Sequence, residues 1–200
     1  AALVAALPAA AATTINFDQL PNGTTLGGAG TTISTQYQSL GVTFSGTNTI
    51  GNYSRPLNSW GLIPASGPGG SGNYLGNFGA VPAGGPSNYL IAPRYDIMTL
   101  TFTNAASAIS FGLSASSPGV TVDAYNAAGA LIQSLTGLTS SSGFTVQTLT
   151  ATNVARIDIV GTFSSTFANS ARMYGIDNLT FTASATGAVP EPATWAMMIV

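Results

Sequence analysis

The chain contains no cysteine and no histidine, and its only basic residues are four arginines. Without cysteine there are no disulfides, so the fold must rest on packing or on a bound metal. The same two absences exclude Ser-His-Asp and Cys-His nucleophile arrangements and His-ligated zinc within this chain. Charge of either sign is scarce: charged residues make up 5% of the 200, the formal net charge is −2, and the arginines do not cluster. A nucleic-acid partner is therefore not expected. Helical patterning is nearly absent, which leaves no helix for a phosphate-cradling glycine loop to open. Asp18, Asp96, Asp123, Asp158 and Asp177 are the carboxylates between residues 13 and 182. A glycosidase needs two of them in one cleft, and Asp123 and Asp158 occupy strand positions expected to face solvent, so an enzyme is not expected.

What the chain has in abundance is hydroxyl, with 26 Thr and 21 Ser. Short apolar alternations recur between turn signals, the pattern of half-buried strands. Ile15 and Phe17 alternate with Asn16 and Asp18 as a first strand, residues 20–23 turn out of it, and a polar glycine-rich loop follows. Residues 41–45 form a second strand, with Gly46, Thr47 and Asn48 as its turn. Residues 97–102 and 108–113 flank a polar stretch at 103–107 that reads as a hairpin, and residues 120–125 and 131–135 flank another at 126–129. Strands at 144–149 and 154–160 continue the series, and a last one at 172–181 carries a bulge at Asp177 and Asn178. About ten strands at this spacing point to an all-β, antiparallel β-sandwich, and we favour a jelly roll. No internal repeat supports a propeller or solenoid.

Residues 51–96 interrupt this regularity, with ten Gly and six Pro in 46 residues. Such density of breakers argues against regular structure, while the interspersed aromatics argue for order. Tyr53, Trp60, Tyr74, Tyr89 and Tyr95 offer flat apolar faces with polar tips, suited to a glycan platform. Packing over the open end of the core accounts for the same aromatics.

The two ends read as addresses. Residues 1–12 are apolar and end in small residues suited to signal-peptide cleavage near Ala12; a short Ala-rich helix is the other reading. At the far end, Pro190, Glu191 and Pro192 hold the backbone extended. Trp195 and Ala196 then open an apolar run that is expected to continue beyond Val200, since a span needs roughly 20 residues. The segment Pro190-Glu191-Pro192-Ala193-Thr194-Trp195-Ala196 resembles the PEP-CTERM sorting signal of Gram-negative bacteria. The resemblance implies export, a transient membrane-anchored stage and processing by an exosortase at Pro190, Glu191, Pro192, Trp195 and Ala196. A Pro-rich linker before an ordinary anchor is the plainer alternative. The expected organisation is the end of a signal peptide at 1–12, an ectodomain at 13–182, a linker at 183–189, and the sorting motif with the start of a transmembrane helix at 190–200.

Residues 15–20, 40–44 and 175–181 are similar to the ectodomain often carried by PEP-CTERM proteins and, more loosely, to jelly-roll carbohydrate-binding modules. In such modules the first and last strands are neighbours, and an acidic residue from each can ligate a structural calcium. That resemblance implies Asp18 and Asp177, with the Asn178 amide completing part of an oxygen set. Turn capping by Asp18 and local backbone bonding by Asp177 are the alternative. Two roles follow for the exported cargo: a surface-sorted structural protein of the extracellular matrix, displayed among exopolysaccharides, or a lectin-like carbohydrate-binding module using the aromatics of 51–96.

Overall fold

The computed structural model describes residues 10–25, 29–48, 53–55, 57–60, 74–76, 97–115, 120–140, 144–161 and 174–184, with backbone alone at 29–32, 47–48, 53–55, 57–60 and 74–76. Among these residues are twelve strands: β1 (Ala12–Ile15), β2 (Ala29–Ile33), β3 (Val42–Asn48), β4 (Tyr53–Arg55), β5 (Leu57–Trp60), β6 (Tyr74–Gly76), β7 (Ile97–Ala115), β8 (Val120–Tyr125), β9 (Leu131–Leu138), β10 (Thr145–Leu149), β11 (Val154–Gly161) and β12 (Tyr174–Ala183). The protein is all-β, and every one of its strand pairings is antiparallel among the described residues. A single turn of 3-10 helix at Gln38–Leu40 is the one helical element described, and no described helix is long and apolar enough to cross a membrane.

The organising strand is β7. Its first half pairs with β3 on one side, from Val42↔Phe102 to Thr47↔Ile97, and with β11 on the other. Its second half exchanges both partners, pairing with β10 and β12. Ala108, at φ 48°, stands between the two halves. The left-handed conformation is unfavourable for alanine, and here it marks the corner where the sheet folds over. One layer therefore runs β4-β3-β7-β11-β8-β9. The other runs β10-β7-β12-β6-β5-β2, with β1 taking the remaining edge of β12 through Ala12↔Thr182 to Ile15↔Leu179. The first and last described strands are neighbours, as the resemblance implies.

Alternation dictates what lies between the layers. Met98, Leu100 and Phe102 from β7, Ile157 and Ile159 from β11, and Val122 and Ala124 from β8 point inward from one layer. Ile109, Phe111 and Leu113 from β7 and Ile176, Leu179 and Phe181 from β12 point inward from the other. All belong to one buried cluster. Phe102 and Phe181 meet across the corner at 5.0 Å, inclined by 60°. Phe17, Tyr37 and Phe44 form a second aromatic group with edge-on contacts of 5.7, 5.6 and 6.0 Å. The Tyr174 hydroxyl on β12 donates to the Ile159 carbonyl on β11 at 2.8 Å in a buried environment, tying one layer to the other. Tyr174→Phe, which keeps the ring and removes the donor, is expected to cost ~1 kcal/mol and ~2–4 °C in Tm by calorimetry.

Several expectations from sequence are corrected. Residues 103–107 are not a hairpin turn: β7 continues through them to the corner at Ala108, because each half finds two better partners elsewhere instead of pairing with the other. Residues 46–48 continue β3 and pair with β4 through Gly46↔Arg55 to Asn48↔Tyr53. Three short strands, β4, β5 and β6, form inside the breaker-rich stretch, and β2 forms inside the glycine-rich loop. The first strand stops at Ile15, since the fully buried Phe17 adopts φ 56° and cannot continue it. The β8–β9 hairpin and the bulge at Asp177 and Asn178 form as read, the latter as a register shift between Asp177 and Thr180 with Asn178 at φ 48°.

Candidate functional site

Residues that alternate with the core positions of β3, β7, β11 and β8 form the outer face of that layer, and their registers bring polar groups into line. Ser45 lies opposite Thr99, Thr99 opposite Asp158, Asp158 opposite Asp123, and Asp123 opposite Ser134 on β9. One row thus crosses five strands. Beside it runs a second, Thr43, Thr101, Arg156 and Tyr125.

The carboxylates of the first row are held in place from both sides. The Thr99 hydroxyl donates to Asp158 Oδ1 at 2.8 Å, and the Ser134 hydroxyl donates to Asp123 Oδ1 at 2.6 Å. Asp123 and Asp158 face one another across neighbouring strands, an arrangement of like charges that costs stability. Arg156 offsets it, with Nε 3.3 Å from Asp158 Oδ2. Nε is buried and not aligned for a hydrogen bond, so the contact is Coulombic. With the two side chains 43% and 17% exposed, it contributes less than ~1 kcal/mol. The guanidinium also lies 4.2 Å from the centre of the Tyr125 ring, a cation–π contact. Two fixed carboxylates, a guanidinium, a tyrosine and five Ser or Thr hydroxyls on a half-exposed sheet make an array of acceptors and donors suited to a hydroxyl-rich ligand. One depression among the described residues, about 430 Å³ and open to solvent, lies elsewhere, lined by Leu20, Pro21, Asn22, Gln36 and Ser39.

The residues proposed from sequence fall differently. Trp60 and Tyr74 are register partners on β5 and β6, and Tyr53 lies opposite Asn48 on β4; their side chains are outside the description. Tyr89 and Tyr95 lie outside the described residues, as do Pro190, Glu191, Pro192, Trp195 and Ala196. Asp18 and Asp177 are carried by neighbouring segments, three residues past Ile15 and two before Leu179, which are themselves paired. Phe17 and Asn178 are both left-handed at this end. Asp177 is fully buried, and its Oδ1 accepts the Asn178 backbone N–H at 2.7 Å. Among the described residues no three acidic, His or Cys side chains converge as a metal cluster. Close by in sequence, the buried Tyr37 hydroxyl donates to the Gln19 carbonyl at 2.9 Å. Burial, and secondarily the charge of Asp18, push that hydroxyl up to about 12.

Solved structures offer distant likenesses. The chain is similar to carbohydrate-binding modules of family 29. One variant module shares 13% identity at a TM-score of 0.34, over 70% of this chain and 91% of that one. Another variant, complexed with mannohexaose, shares 12% at 0.32, over 71% and 93%. A further family 29 module shares 12% at 0.31, over 76% and 97%. No protein-family model and no curated protein matches the chain. Likeness of this degree places no residue, so the face of β3, β7, β11, β8 and β9 stands on its own geometry.

Sequence reading placed Asp123 and Asp158 toward solvent but did not join them, and passed over Tyr125 and Arg156. The available signal was parity: Asp123 and Tyr125, like Arg156 and Asp158, are spaced by two and share a face. That all four meet depends on the β8–β11 register, which no local pattern displays.

Proposed function

We propose that this chain is a non-catalytic glycan-binding protein whose contact surface is the outer face of the β3-β7-β11-β8-β9 layer. The observation that carries the reading is the alignment of Asp158 and Asp123, each pinned by a hydroxyl, beside the Arg156–Tyr125 stack. Sugar hydroxyls both donate and accept, and fixed carboxylates are strong acceptors for them. Tyr125 adds apolar area to the same face. Affinity electrophoresis and calorimetric titration against a polysaccharide panel test this. Retention by at least one polysaccharide is expected, weakened about tenfold or more by Tyr125→Ala or Arg156→Ala, in line with the loss of a charged hydrogen bond. Retention that neither change affects would overturn the placement of the site.

The sorting reading joins this one. A glycan-binding ectodomain with jelly-roll-like adjacency of first and last strands, exported behind a signal peptide and released by exosortase processing at residues 190–196, would settle among exopolysaccharides outside a Gram-negative cell. Matrix association would then be the consequence of glycan binding. The joined ends of β1 and β12 further support a structural calcium on Asp18 and Asp177, with backbone carbonyls and the Asn178 amide as additional oxygens. Chelator is expected to lower the Tm of the purified protein, and an unchanged melt would remove calcium from the account.

A further inference from the structure

We infer that the face takes neutral, hydroxyl-rich polysaccharides and rejects polyanionic ones; this rests on the glycan-binding reading above. Among its described side chains the face carries two carboxylates, Asp123 and Asp158, against one cation, Arg156. Its local balance is therefore negative, two acids less one base, within a chain whose formal net charge is −2. Arg156 is the only basic residue among the described side chains, and its charge is already engaged by Asp158 at 3.3 Å and by the Tyr125 ring at 4.2 Å. A uronate or sulfate group arriving at this row brings acceptors without donors and meets Asp123 as a like charge. A neutral sugar hydroxyl meets the same carboxylate as a donor. The row from Ser45 to Ser134 crosses five strands, which at ~4.8 Å per spacing spans ~19 Å. An extended chain of several sugar rings fits across it.

Titration of the full chain with glucomannan and with alginate, each at low and high salt, tests the inference. Glucomannan is expected to bind at least about tenfold more tightly than alginate, with the gap narrowing as salt screens the repulsion. Asp158→Asn releases Arg156 from its partner and is expected to shift the preference toward alginate by about tenfold. Asp123→Asn, whose one described side-chain contact is the Ser134 hydroxyl, is expected to shift it the same way, and it preserves the test if Asp158→Asn lowers stability. Wild-type binding of alginate equal to or tighter than that of glucomannan, lost on adding salt, would overturn the neutral preference while leaving glycan binding standing. Unaltered preference in a folded Asp123→Asn variant would overturn it too. Failure to bind either polymer would instead overturn the glycan-binding reading itself.

Discussion

Phe181→Ala is expected to lower the stability of the fold by ~3–5 kcal/mol and its Tm by about 10 °C, the range for deleting a buried aromatic ring. Phe181 is fully buried on β12 and meets Phe102 at 5.0 Å. Its ring also closes over Gly41, where a Cβ would stand 3.8 Å from the Phe181 Cε2 atom. Three segments thus meet on one ring: the entry to β3, the first half of β7, and β12. Because β7 is committed to both layers, neither can move inward to fill the space without breaking the register of the other. Chemical denaturation monitored by circular dichroism reads the loss, and a cost below ~1 kcal/mol would mean that the corner is not packed as described.

Alkali is expected to weaken the protein through Tyr37. Its hydroxyl is pushed up to about 12 from an ordinary 10.0, first by burial and then by the charge of Asp18. The folded state therefore holds the proton that the unfolded chain releases at lower pH. This contribution is whole below pH 10, declines as pH rises from 10, and is lost by about pH 12, amounting to roughly 2–3 kcal/mol. Urea melts across that window should show the decline, and Tyr37→Phe, which has no proton to lose, should flatten it. An equally steep decline in Tyr37→Phe would assign the effect to other groups. The aromatic contacts of Tyr37 with Phe17 and Phe44 would survive the change, so a flattened profile would isolate the hydroxyl.

The sequence was most informative where a local rule decides the structure. The β8–β9 hairpin follows from Asn126 to Gly129, where Asn126 Oδ1 accepts the Ala128 and Ala130 N–H groups and Gly129 takes φ 78°. The bulge on β12 follows from adjacent Asp177 and Asn178, the latter tolerant of left-handed backbone. Where partner choice decides, the reading failed. Residues 103–107 carry the composition of a turn, yet β7 passes through them because four neighbouring strands bind its two halves. Short strands β5 and β6 form despite their glycine-rich surroundings because β2 and β12 supply the missing hydrogen bonds on either side. The candidate site belongs to this second class. Asp123 and Asp158 read as ordinary outward strand residues, and only the pairing of Asp158 with Asp123 and of Arg156 with Tyr125 makes the four one surface.

That surface is most directly tested by mapping contact residue by residue. The isotope-labelled full chain, titrated with a short glucomannan oligosaccharide, is expected to show its largest amide shifts at Thr99, Thr101, Asp123, Tyr125, Ser134, Arg156 and Asp158. Shifts confined to the Asp18 and Asp177 end of the fold, or to residues 51–96, would contradict the placement of the binding face on the β3-β7-β11-β8-β9 layer.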